Sequence, residues 1–157
     1  MLNVYEVPLV RGAWRVVDPG AGRPPDSHRA FYFLDLPGYG YARASQADRR
    51  AFRLLITHAL GRPALAGVLW LLDIRHEPSA DDRKMHELFA GRGTRVLAVL
   101  TKSDTLARPG RARRERELRE TLALNDDQVI ATSAREGAGI GELREAIAEL
   151  VRAESPG

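Results

Sequence analysis

The sequence predicts an α/β fold, a mainly parallel sheet flanked by helices, and three observations predict it. Apolar runs of strand length alternate with stretches of helical period from Phe31 almost to the end of the chain. Two of these runs, Gly67–Ile74 (GVLWLLDI) and Arg95–Leu100 (RVLAVL), are continuously apolar, the pattern of strands covered on both faces. Three of the strands run into short polar clusters, and ligands of open parallel sheets bind beyond such strand ends.

The elements follow in order. Leu2–Val7 (LNVYEV) alternates apolar and polar residues and reads as a strand near an edge. Residues 9–30 hold Gly12, Pro19, Gly20, Gly22, Pro24 and Pro25, which predicts a loop or an elaborated hairpin in which Ala13–Val17 adds a little strand. Phe31–Leu34 is the next strand. Gln46–Leu60 is a helix with Phe52, Leu55, Ile56 and Leu60 on one face, Ser45 as its cap and Gly61 at its end. After the strand at Gly67–Ile74, Ser79–Ala90 is a helix capped by Ser79, with Met85, Leu88 and Phe89 inward. The strand Arg95–Leu100 leads to a turn at Pro109-Gly110, a charged helix over Arg111–Leu124 and a short strand over Gln128–Ala131. Gly139–Ala153 is a final amphipathic helix built on Ile140, Leu143, Ile147, Leu150 and Val151, and residues 155–157 are a frayed tail.

The chain has 157 residues, enough for one domain with a sizeable core. It has no Cys, which excludes disulfides and thiolate metal sites. Its first ten residues lack the basic segment and small-residue cleavage site of a signal peptide, and no apolar run is long enough to span a bilayer. A cytoplasmic monomer without a membrane or DNA partner is expected. The net charge of +3 permits a nucleic-acid partner without requiring one. Of the 24 basic residues only two, Lys84 and Lys102, are lysines.

The three polar strand ends carry the candidate chemistry. At Asp35-Leu36-Pro37-Gly38, Asp35 can hold a hydrated cation, and the amide of Gly38 can approach a phosphate oxygen. Taken alone, D-x-x-G is also a plain turn. The second cluster, Thr101-Lys102-Ser103-Asp104, is more specific. A carboxylate at Asp104 can accept two hydrogen bonds from the N1 and exocyclic amino groups of guanine, a donor pair that adenine lacks. Lys102 can lay its methylene stem along the base plane while its ammonium stays solvated. At the third, Thr132-Ser133-Ala134, backbone N–H groups of Ser133 and Ala134 can meet the guanine O6.

DLPGYGYA, LLDIRHEPSADD, VLTKSD and ATSA, in that order, resemble the EngB (YihA/YsxC) family of bacterial ribosome-biogenesis GTPases. The resemblance runs from Phe31 to about Val151, and Leu2–Val7 resembles the strand after that family's first switch segment. It implies a P-loop GTPase-like, three-layer α/β/α fold and slow GTP hydrolysis linked to assembly of the large ribosomal subunit and to normal cell division and septation. It implies GTP/GDP and Mg²⁺ as ligands and ribosomal RNA as partner. Asp35 would reach Mg²⁺ through water, Gly38 the γ-phosphate, and Lys102 and Asp104 the guanine, with Ser133 and Ala134 beside it.

The chain also departs from the family. It contains no G-x-x-x-x-G-K-[ST] loop and no switch I Thr in the family's context. The expectation is a single incomplete G domain lacking the first strand and helix, from a start placed too late or a gene fragment, with phosphate binding largely lost. In the family fold the lacking strand lies between those ending at Asp35 and Asp73, so two unpaired apolar edges or a collapsed gap are expected. A second reading is a non-catalytic binding module for RNA or protein. Tyr39 stands where Ras-like enzymes carry a water-orienting Gln, which favours slow hydrolysis.

Three further features have a local reading. Asp73, Arg75 and His76 read as a strand-terminal ion pair with a surface histidine, in preference to a partner-facing cluster. Arg108–Arg119 reads as a solvated helix with i,i+4 pairs, in preference to an RNA contact. His58 and His86 have no paired ligands in sequence and are not read as metal-binding.

Overall fold

The structure, a computed structural model, describes residues 3–8, 30–36, 38, 45–63 and 65–154. The expected hairpin at residues 9–29, Pro37, and the tail at 155–157 lie outside the described residues. The chain divides into two compact units between Ala59 and Leu60.

In the first unit, β1 (Asn3–Pro8) and β2 (Ala30–Asp35) pair antiparallel, with Val7 opposite Phe31 and Tyr5 opposite Phe33. Period-2 alternation puts Phe31 and Phe33 on one face, where their rings meet edge to face at 5.1 Å, and turns Tyr32 outward. The helix α1 (Gln46–Leu60) has the bounds its periodicity predicts. Ser45 and Asp48 close a capping box: the Asp48 N–H donates to the Ser45 hydroxyl (3.1 Å) and the Ser45 N–H to the Asp48 carboxylate (3.0 Å). Ile56 and Ala59 form its buried stripe.

The second unit is a three-stranded sheet flanked by helices. β3 (Val68–Asp73), β4 (Val96–Thr101) and β5 (Val129–Ala131) run parallel in the order β3-β4-β5. The helix α2 (Ala80–Ala90) joins β3 to β4, α3 (Arg108–Thr121) joins β4 to β5, and α4 (Ile140–Glu154) follows β5. The central strand is the driest: Val96 to Leu100 are all buried, as a strand flanked by two others requires. Ser79 caps α2 through a capping box with Asp82, and Met85 and Phe89 are buried. The Trp70 ring of β3 packs edge-on to Phe89 at 5.7 Å and lies parallel to His86 at 6.1 Å, which accounts for that histidine as a packing residue.

Three details differ from the sequence reading. Gly67–Ile74 was expected to be covered on both faces, yet Leu71 is 64% exposed, because α2 covers only the Trp70 face of this outer strand. Pro109 and Gly110 do not form a turn; they lie in the first turn of α3, where the missing proline N–H costs no helical hydrogen bond. That helix ends early, at Thr121, because Ala123 takes a left-handed conformation (φ 48°) and the Leu124 and Ala123 N–H groups bond back to Arg119 and Glu120. Charges pair along α3: Arg113 and Arg114 both reach Glu117, and Arg119 pairs with Asp126. Among the described residues β2 and β3 are not paired with each other and belong to separate sheets.

Candidate functional site

Because β4 and β5 are parallel neighbours, their carboxyl ends open on one edge, and backbone hydrogen bonds join the loops beyond them. The Thr132 N–H donates to the Leu100 carbonyl (2.8 Å), and the Ser103 N–H to the Thr132 carbonyl (3.0 Å). Lys102 turns the chain sharply at the end of β4 with a left-handed backbone (φ 61°), a conformation that costs a non-glycine residue about 1 kcal/mol or more. The turn is closed by Thr105, whose N–H (3.1 Å) and hydroxyl (2.7 Å) both donate to the Lys102 carbonyl. Ser103 is fully buried under it, its hydroxyl without a partner among the described residues.

Asp104 follows on the rim. Its carboxylate accepts the Ser133 hydroxyl at 2.7 Å, across 29 residues of sequence. The same hydroxyl oxygen accepts the Glu136 N–H (3.1 Å), so its proton is directed at Asp104. That bond, above the weaker pull of Arg135 and Arg111, holds the Asp104 carboxyl below the usual carboxylate range against an opposing desolvation. A carboxylate has about four acceptor positions, so one donated hydroxyl leaves both oxygens able to accept further donors.

The sequence reading gave the Ser133 N–H to the guanine O6. The structure spends it on the Ala138 carbonyl (3.0 Å), so Ser133 acts at this rim through its hydroxyl. Ala134 is exposed and its N–H has no acceptor among the described residues. The fold-back from Ala134 to α4 depends on Gly139 (φ 71°): a β-carbon there would overlap the Ala131 carbonyl of β5.

The end of β3 joins the same edge, since Asp73 stands opposite Thr101 in the parallel register. The Thr101 hydroxyl donates back to the Leu72 carbonyl (3.2 Å) and braces the two strands. Asp73 and Arg75 make the expected ion pair, through Nη2 (2.6 Å) and Nε (2.9 Å), with the Arg75 N–H adding a third bond (3.1 Å). These bonds, the guanidinium's first, hold the Asp73 carboxyl far below its ordinary range. Sequence reasoning missed one partner: the Lys102 ammonium donates to Asp73 at 2.8 Å. Nothing local signals this contact; only the β3–β4 register brings the two residues together.

Asp35, Leu36 and Gly38 belong to the other unit. Asp35 ends β2 opposite Asn3, is exposed, and makes no hydrogen bond or ion pair among the described residues. A β-carbon at Gly38 would meet no atom of the described residues within 4 Å. Among the described residues no three His, Asp or Glu side chains gather as metal ligands, and no helix is long and apolar enough to cross a membrane.

No protein-family model matches the chain. Curated relatives do. The chain is 44% identical over 128 residues to "Probable GTP-binding protein EngB" of Gemmatimonas aurantiaca, covering 80% of this chain and 62% of the relative. To the protein of that name from Alkaliphilus metalliredigens it is 36% identical over 125 residues (78% and 60%), and to that from Syntrophomonas wolfei 39% over 122 residues (77% and 63%). The chain thus spans about three-fifths of the length of the curated relatives it matches. The crystal structure of a probable GTP-binding protein engB superposes with a TM-score of 0.67 at 17% identity, covering 78% of this chain and 77% of that one, and shares its fold. With the T-K-x-D and T-S-A loops joined on one edge of a parallel sheet, these matches place the chain, over about four-fifths of its length, in the EngB family of GTP-binding proteins.

Proposed function

We propose that this chain binds GTP and GDP through their guanine base, with Asp104 as the specificity-determining residue. The observation that carries the reading is the hydrogen bond from Ser133 to Asp104, which fixes a charged, part-exposed carboxylate on the rim with acceptor positions to spare. Guanine N1–H and its amino group present a matching donor pair; adenine does not. Lys102 supplies an apolar stem beside it, and the Ala134 N–H a donor for O6.

The phosphate side is thinner. Asp35, exposed and unpaired among the described residues, fits a water-mediated contact to Mg²⁺, a role that needs one carboxylate. When bound, Mg²⁺ would neutralise phosphate charge. Gly38, exposed and without a side chain, fits an approach by the γ-phosphate. The 157 residues contain no G-x-x-x-x-G-K-[ST], whose amides and lysine supply most β- and γ-phosphate contacts in P-loop proteins. Nucleotide binding by this chain is therefore weak and GTP hydrolysis slow. The family resemblance supports a cytoplasmic role in large-ribosomal-subunit assembly, with ribosomal RNA as partner and consequences for cell division and septation. The missing loop specifically favours a second reading, a non-catalytic module that docks on RNA or protein.

Titration with a fluorescent GDP in Mg²⁺ tests the first reading. Binding weaker than about micromolar, displaced by GDP and not by ADP, is expected, since the base alone contributes only a few kcal/mol. Tight Mg²⁺-dependent binding would contradict the weak phosphate side, and equal displacement by ADP the base reading.

A further inference from the structure

We propose that Asp73 is a positioning residue for base recognition, tethering Lys102 so that its stem is held at the rim before a nucleotide arrives. The inference rests on the reading that Lys102 and Asp104 hold guanine. Lysine has four rotatable side-chain bonds and normally keeps them mobile at a surface. Here both ends are fixed. The Cα is set by the left-handed turn (φ 61°), and the ammonium by Asp73 (2.8 Å). The Lys102 side chain between them remains 54% exposed.

The tether is itself built. Three hydrogen bonds from Arg75 orient the Asp73 carboxylate, and the Arg75 guanidinium and the Lys102 ammonium share Oδ2. His76 stands 4.0 Å from the same oxygen. Asp73 is held level with Thr101 by the β3–β4 ladder and the Thr101 hydroxyl. Removing the carboxylate therefore frees the lysine without touching the Ser133–Asp104 bond. A lysine held in place loses less freedom on stacking against a base, so the expected gain is in affinity, not in the choice of base.

The two lysines make the test direct. The whole chain is labelled with ¹³C at lysine Cε, so that Lys102 and Lys84, which pairs with Asp81, give two signals. In Asp73→Asn the Lys102 signal shifts and the Lys84 signal stays, and Asp73→Glu restores the Lys102 position. Titration with GDP to millimolar concentrations then gives a Kd raised about three- to tenfold in Asp73→Asn, the scale of one exposed ion pair plus lost preorganisation. Lys102→Met costs as much or more, and adding Asp73→Asn to it costs nothing further. An unmoved Lys102 signal, or equal loss from Asp73→Asn with and without Lys102, overturns the inference. If the native chain binds GDP and Asp73→Asn binds it equally well, the positioning role alone fails. If the native chain shows no saturable GDP binding, the guanine reading fails and this role with it.

Discussion

The ends of β2 and of β4 both carry an aspartate, and the two are prepared very differently. Asp104 sits in a web that crosses the sheet: Ser133 from the loop after β5 fixes it, and its neighbour Lys102 is fixed by Asp73 from β3. Asp35 stands exposed and unpaired among the described residues, on a two-stranded sheet. A carboxylate already oriented by its neighbours can select a ligand by its donor pattern, since little freedom is left to lose on binding. A lone one offers charge without selection. On the proposed reading, the carboxylate prepared for base discrimination is Asp104, and Asp35 offers charge alone.

The comparison breaks most easily at Asp104. Asp104→Asn replaces a double charged acceptor by a half-donor, and guanosine affinity should fall about a hundredfold, read by titration calorimetry or NMR. Inosine lacks the amino group and should bind the native chain about tenfold more weakly than guanosine, a gap that Asp104→Asn erases. Ser133→Ala tests the orienting bond. Guanosine affinity should fall by about three- to fivefold, the scale of one hydrogen bond, while the fold is kept. The carboxyl that Ser133 holds below its ordinary value should then titrate at higher pH, so guanosine binding, flat at neutral pH, is lost earlier on acidification.

Smaller effects sharpen the picture. Asp73 is held below its unfolded value by Arg75 and Lys102, so the stability it contributes is present above about pH 4 and disappears as pH falls below that toward its folded value. Native protein and Asp73→Asn should therefore differ in urea midpoint near neutral pH, by no more than about 1 kcal/mol, and converge in acid. The smallest effect belongs to Asp35→Asn. Guanosine affinity should not change, and only the Mg²⁺-dependent part of GDP binding should weaken.

Much of this was legible in the sequence because its signals are local. Helical period and a serine fixed α1 at Gln46–Leu60, and Ser79 announced the start of α2. The Lys102 to Asp104 and Thr132 to Ala134 loops follow apolar strands, and parallel pairing of β4 with β5 brings them together as strand alternation predicts. What was illegible depends on neighbours far along the chain. The Lys102–Asp73 contact exists only through the β3–β4 register. The Ser133 N–H was assigned outward because nothing in T-S-A reveals that the loop folds back to the Ala138 carbonyl. Pro109-Gly110 misled because a proline suits a turn and a first helical turn equally well. Leu71 is apolar like its neighbours, and only the placement of α2 shows that it faces outward.

The most direct test follows the Asp104 and Ser133 resonances of the 157-residue chain while guanosine, then adenosine, is added. Guanosine should shift both resonances saturably, adenosine should leave them in place, and Asp104→Asn should abolish the response. Equal shifts with the two nucleosides, or guanosine-dependent shifts that bypass Asp104, would contradict a carboxylate held by Ser133 as the reader of the base.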